Sequence, residues 1–139
     1  MTNTQVATLK ASDAELVSTT KAGVKFRDTY KEALVLLDVT IPATGAGDTL
    51  DVYIDTSPDG GTTWVNVGHF TQVLGNGGAK KFTMALNPNN AGASAVVDVT
   101  ADAAAGVTRQ YGICDRLRSR SVIAGGTASF TYAVIAFLK

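Results

Sequence analysis

The chain has 139 residues, 45% apolar and 17% charged, with twelve Lys and Arg balancing twelve Asp and Glu. This length and composition give one folded domain with a real core and exclude a disordered chain. Zero net charge argues against a nucleic-acid partner, since phosphate neutralisation dominates that kind of affinity.

Other exclusions follow from single residue types. Cys114 is the only cysteine, so no intrachain disulfide holds the fold. The N-terminus lacks the basic and apolar blocks of a signal peptide, and no apolar run reaches the ~18 residues that span a bilayer. The expectation is a chain made in a cytoplasm, with no membrane partner.

Residues 1–30 carry Lys10, Lys21, Lys25 and Arg27 among Thr and Ala, with little period-two pattern. They read as an N-terminal arm or a loosely attached first strand, set apart from a β-sandwich domain over 31–139. Ser12 followed by Glu15 has the spacing of a helix capping box.

From residue 33 the pattern is β. The run Ala33-Leu34-Val35-Leu36-Leu37-Asp38-Val39-Thr40-Ile41 is branched and apolar, as in a central strand. Leu50, Val52 and Ile54 alternate with Asp51, Tyr53 and Asp55, a strand with one wet face. Ser57-Pro58-Asp59-Gly60-Gly61 is a hairpin connection, followed by a return strand over 63–74. Phe82, Met84 and Leu86 mark another strand, closed by a turn over 87–92. A short strand over 96–100, an Ala-rich connection or helical turn over 101–106 and one or two strands over 111–123 follow. Phe130, Tyr132, Val134, Ala136 and Leu138 share one face of a last strand. Seven or eight strands with frequent turn chemistry predict an all-β, antiparallel sandwich or jelly roll.

Catalytic and metal sets are hard to assemble. One histidine, His69, and one cysteine cannot build a metal cage, and no local signature supports a Cys114–His69 nucleophilic pair. Asp51 and Asp55 fall on the solvent side of their strand and lack a calcium-loop pattern. Gly75-Asn76-Gly77-Gly78 lacks the Lys and the helix of a phosphate loop. The chain is therefore expected to be no enzyme, with no catalytic residue, cofactor or metal.

Two features stand out. Ser57, Asp59, Gly61, Thr63 and Trp64 fit the Asp-box pattern S-x-D-x-G-x-T-W, a structural hairpin in which Asp59 bonds its own turn and Trp64 packs beneath it. The box resembles the turn of sialidase propellers, which carry several copies and a cluster of catalytic arginines; here there is one copy, and only the hairpin transfers. Arg116, Arg118 and Arg120 alternate with Leu117, Ser119 and Ser121, so three guanidinium groups share one strand face. They are either a solvated face or a protein interface, together with Lys10, Lys21, Lys25 and Arg27; the acids of the 50–55 strand are candidate partners.

The stretch Tyr30–Thr40, then Leu50–Trp64 with its Asp-box, then Phe70-Thr71-Gln72 and the closing 130–138 strand is similar to small structural proteins of tailed bacteriophages. The resemblance implies a virion protein: a head decoration, or cement, protein on the capsid surface. Such a protein clamps the major capsid protein, often as a homotrimer, and has no catalytic residues. A tail, neck or baseplate protein is the alternative within that class. A carbohydrate-binding sandwich, using Trp64 and Tyr53, is the alternative outside it.

Overall fold

The structure, a computed structural model, describes residues 4–88, 96–109 and 112–139. Among these residues eleven strands run in order: β1 (Gln5–Glu15), β2 (Thr19–Thr20), β3 (Val24–Lys25), β4 (Ala33–Ile41), β5 (Thr49–Thr56), β6 (Val65–His69), β7 (Val73–Leu74), β8 (Lys80–Leu86), β9 (Val107–Thr108), β10 (Arg116–Ala124) and β11 (Phe130–Leu138). They form two antiparallel sheets. Sheet A has the order β1-β11-β4-β8, and sheet B the order β2-β10-β5-β6-β9, with β3 on β10 and β7 on β5. The chain is an all-β sandwich.

Strand alternation builds the core. Val35, Leu37 and Val39 of β4 and Phe130, Tyr132, Val134, Ala136 and Leu138 of β11 point inward from sheet A. Leu50, Val52 and Ile54 of β5, Val67 of β6 and Leu117 of β10 meet them from sheet B. Between Ile54 and Asp55 the β5–β6 register shifts by one residue, which brings Gly68 against the opposite sheet. A Cβ there would lie 2.4 Å from Met84 Sδ, so the close approach of the sheets uses the absence of a side chain.

Several sequence expectations need correction. Of the arm and the first strand expected near the N-terminus, residues 5–15 form a strand, β1, which pairs along β11 from Gln5↔Leu138 to Glu15↔Phe130 and sends Ala7 and Leu9 into the core. Its alternation is hidden by register shifts on either side of Lys10, so no simple period runs through it. Ser12 and Glu15 lie on this strand and form no capping box. Residues 96–100 hold no strand but a turn, in which Asp98 Oδ1 accepts from Thr100 N at 2.8 Å and Thr100 Oγ1 at 2.7 Å.

Residues 101–106 are not helical: side chains of sheet B satisfy the backbone that a helix would bond internally. The 63–74 strand is two, β6 and β7, separated at Phe70–Gln72. Of the one or two strands expected over 111–123, the described residues hold one, β10; Tyr111 lies outside the described residues, as does the 87–92 turn beyond Pro88.

Deleting residues 4–15 separates a strand from an arm. Loss of β1 removes the cover that Ala7 and Leu9 give the core and leaves one edge of β11 unpaired, so the cooperative thermal transition followed by circular dichroism is expected to disappear. An unchanged midpoint would show that β1 is dispensable.

Candidate functional site

The outer face of sheet B holds the arginine stripe. Register places Arg118 of β10 opposite Asp55 of β5, and Asp55 opposite Asn66 of β6. The next row is Arg120, Tyr53 and His69. Asp55 is 1% exposed, so it is not the solvated acid that alternation suggests. Arg118 Nε donates to Asp55 Oδ2 at 2.9 Å; Arg120 donates to both Asp55 oxygens, from Nε at 2.8 Å and Nη2 at 3.1 Å. Asn66 Nδ2 adds a donor at 3.2 Å from Oδ1.

Aromatic rings fill the gaps. The guanidinium of Arg118 stands 4.3 Å from the Trp64 ring centre, and that of Arg120 4.6 Å from that of Tyr53. Tyr53 in turn stacks on His69 at 4.0 Å. His69 Nε2 lies 2.8 Å from Asp51 Oδ1, and Nδ1 lies 3.0 Å from the Ala103 carbonyl. With both nitrogens engaged this way, His69 is not the partner of Cys114.

The segment after Asp98 closes over this row. Ala103 N donates to Asn66 Oδ1 at 2.9 Å, Arg109 Nη2 to the Ala101 carbonyl at 2.8 Å, and Arg120 Nη2 to Asp102 Oδ1 at 2.6 Å. Burial pushes Arg120 downward, but its bonds to Asp55 and Asp102 outweigh this and hold its pKa above the ordinary value. Burial raises the Tyr53 hydroxyl, with Asp51 and Asp102 adding to it. Arg116 sits apart, paired with its neighbour Asp115 at 2.9 Å. The stripe is thus a self-satisfied ladder across β10, β5 and β6.

The Asp-box forms the hairpin between β5 and β6. Ser57 Oγ donates to Asp59 Oδ1 at 3.0 Å and accepts from Gly61 N at 2.8 Å. Asp59 Oδ1 also accepts from Thr63 N at 2.7 Å, and that bond is the leading reason its pKa is lowered. Gly60 and Gly61 take φ of 77° and 102°, where a side chain is strained. Trp64 Nε1 donates to the Gly61 carbonyl at 3.0 Å, and the ring edge abuts Gly23, leaving the side chain half-buried.

The remaining candidates divide. Lys10 is not a surface residue: its ammonium is buried, lies 4.0 Å from the Tyr132 ring centre, and donates to the Tyr132 carbonyl at 2.8 Å and to Asp13 Oδ1 at 2.5 Å. Lys21 Nζ stands 3.0 Å from Glu15 Oε2. Lys25 and Arg27 are exposed, beside β10 and the start of β1 respectively.

Sequence reading missed Glu15 itself. Tyr132 OH and Ser121 Oγ each donate to Glu15 Oε1 at 2.6 Å, which ties both sheets together. Burial pushes the Glu15 pKa up, yet the bonds from Ser121, Tyr132 and Lys21 together bring it below the ordinary value. Burial, and then Glu15, pushes the Tyr132 hydroxyl far up, so it stays a donor. A lone acid between Ala14 and Leu16 carries no signal of this role; only the inward Ser119 and Ser121 hint at a polar spot in the core.

Two measurements check these networks. Asp55→Ala leaves two guanidinium groups without their shared carboxylate and is expected to cost about 3 kcal/mol in urea unfolding. Arg116→Ala, which breaks only an exposed neighbour pair, leaves the midpoint in place. Equal effects would overturn the ladder's role.

The second is pH. Folding lowers the pKa of Glu15, and of Asp13, Asp59, Asp98 and Asp115. Their stabilisation is complete above the ordinary carboxylate range and is lost as pH falls through the lower folded values. The thermal midpoint should therefore hold from about pH 7 to 5 and drop below about pH 4. Glu15→Gln should start lower and fall less steeply; parallel profiles would remove Glu15 from the account.

Among the described residues, no three His, Cys, Asp or Glu side chains gather as metal ligands. Compared with protein-family models, curated proteins and solved structures, the chain finds no match.

Proposed function

We propose that the chain is a structural subunit of a tailed-bacteriophage particle, acting as a decoration protein that binds the capsid surface and stabilises the head. Its partners in this reading are the major capsid protein and further copies of itself, often grouped in threes. The resemblance over residues 30–139 motivates the particle.

One structural observation favours assembly over catalysis. Sheet A leaves Val6, Leu34 and Phe137 62%, 44% and 39% exposed on its outer face, while the polar constellations of sheet B are used up within the chain. An exposed apolar patch of this kind marks a contact surface. Avidity over many such weak contacts is how a lattice-bound subunit gains strength.

The carbohydrate reading loses its support here. Arg120 and His69 flank the Tyr53 ring, and Arg118 lies over Trp64, so neither is an open stacking platform.

Purified protein mixed with undecorated capsids of its own particle should co-sediment at a fixed high stoichiometry and raise their melting temperature. No co-sedimentation at any salt concentration would overturn the decoration reading. A low copy number in intact particles would move the protein to the tail, neck or baseplate.

A further inference from the structure

We infer that the outer face of sheet A is a self-association surface whose occupant is the same face of a second copy. The inference rests on reading the chain as an assembly subunit, but not on which particle it joins.

Pairing sets the face. Val6↔Phe137, Phe137↔Leu34 and Leu34↔Ala85 make one unbroken row across β1, β11, β4 and β8. Two residues along, Thr8, Ile135, Leu36 and Thr83 make the next outward row. Beyond it Asp38 and Lys81 pair at 3.9 Å and bound the apolar area. At the other end Glu32 and Lys139 line a shallow groove beside Leu34 and Phe137. A pleated surface of this kind fits a second sheet, which packs at ~10 Å with its strands within about 30° of aligned.

The edges offer a second copy less. Register shifts around Lys10 kink β1, and its ammonium is tied to Tyr132 and Asp13. Lys80 and Lys81 stand on β8, while β2, β3 and β9 on sheet B have two residues each. Bulges, lysines and short strands all discourage strand addition.

Size and symmetry select the occupant. Four strands ~4.8 Å apart and about seven residues at ~3.3 Å give roughly 450 Å² per copy, or roughly 900 Å² for a pair. That is about a quarter below the ~1,200 Å² lower bound of standard specific interfaces, as expected of a weak, reversible dimer. A two-fold axis parallel to the strands, between β11 and β4, lays Phe137 over Leu34 of the second copy and Ile135 over its Leu36. The same operation sets Val6 over Ala85 and Thr8 over Thr83, so apolar meets apolar at three of the four pairs and hydroxyl meets hydroxyl at the fourth. The surface is thus complementary to itself, as an isologous contact requires. Zero net charge adds no long-range repulsion.

Sedimentation velocity on the full chain tests this. Wild type should dimerise reversibly by about 100 μM. Leu34→Glu and Phe137→Lys should each be monomeric, with circular dichroism and thermal midpoint showing that both fold. Mixing the two variants should restore a dimer, because the proposed axis sets one introduced acid against one introduced base. A monomeric wild type, a trimer insensitive to both substitutions, or a mixture that stays monomeric would overturn the inference. The two readings fail separately: a dimer that ignores capsids overturns only decoration, and a monomer that binds them overturns only self-association.

Discussion

The carboxylate of Asp55 is the contact on which sheet B depends. A buried anion is costly unless it is paired and its lone pairs are filled. Here Arg118, Arg120 and Asn66 supply those donors from the strands on either side. Once both arginines point at one acid, their planes are set, and Trp64 and Tyr53 have cations to stack against. Tyr53 then positions His69, and His69 and Asn66 between them hold Ala103 by its carbonyl and its N–H. The segment around Ala103 thus lies on the sheet because the ladder beneath it offers polar ends. Apolar packing alone would not specify where its backbone bonds.

The opposite problem is solved inside the sandwich. Glu15 enters between the sheets at the end of β1, where Tyr132 from sheet A and Ser121 from sheet B both donate to one oxygen. Lys10 sits close by, over the face of the same Tyr132 ring. Replacing any single member strands the others, which is the usual vulnerability of buried polar networks. These contacts make residues 5–15 part of the core structure. They also explain their unpromising sequence: a strand whose job is partly to deliver a lysine and a glutamate cannot display a clean apolar period.

This contrast accounts for what could be read from the chain. Strands β4, β5, β8 and β11 are each visible from their branched and aromatic residues. The Asp-box was legible because its bonds are local: Ser57, Asp59, Gly61 and Thr63 find each other within seven residues. The arginine stripe was visible as a stripe, but its acid is 63 positions from Arg118. Nothing in the spacing chooses between a partner in the chain and one on a neighbour. The Ala-rich segment misled for a related reason. Ala favours helix in isolation, and small side chains also let a loop lie flat on a sheet; tertiary bonds decided. At β1 the register shifts erased the period that would have revealed it.

The two sheets also differ in what their outer faces require. On sheet B, each large outward aromatic has a partner from the same chain, and the arginines that cover them retain about one-fifth exposure. Water and the ladder together complete that surface. On sheet A, Val6, Leu34 and Phe137 stay exposed and Leu36 and Ile135 are only partly buried, on strands whose inner faces are already apolar. A strand buried on one face needs only alternate apolar residues. Leu34, Leu36, Ile135 and Phe137 exceed that requirement. The excess is in register across neighbouring strands, so one flat surface could bury all four residues at once. Scattered exposed apolar residues need no explanation, but aligned ones concentrate the free energy of burial in a single contact. That alignment is why the outer face of sheet A, rather than the arginine stripe, is where this sandwich meets its surroundings in our proposal.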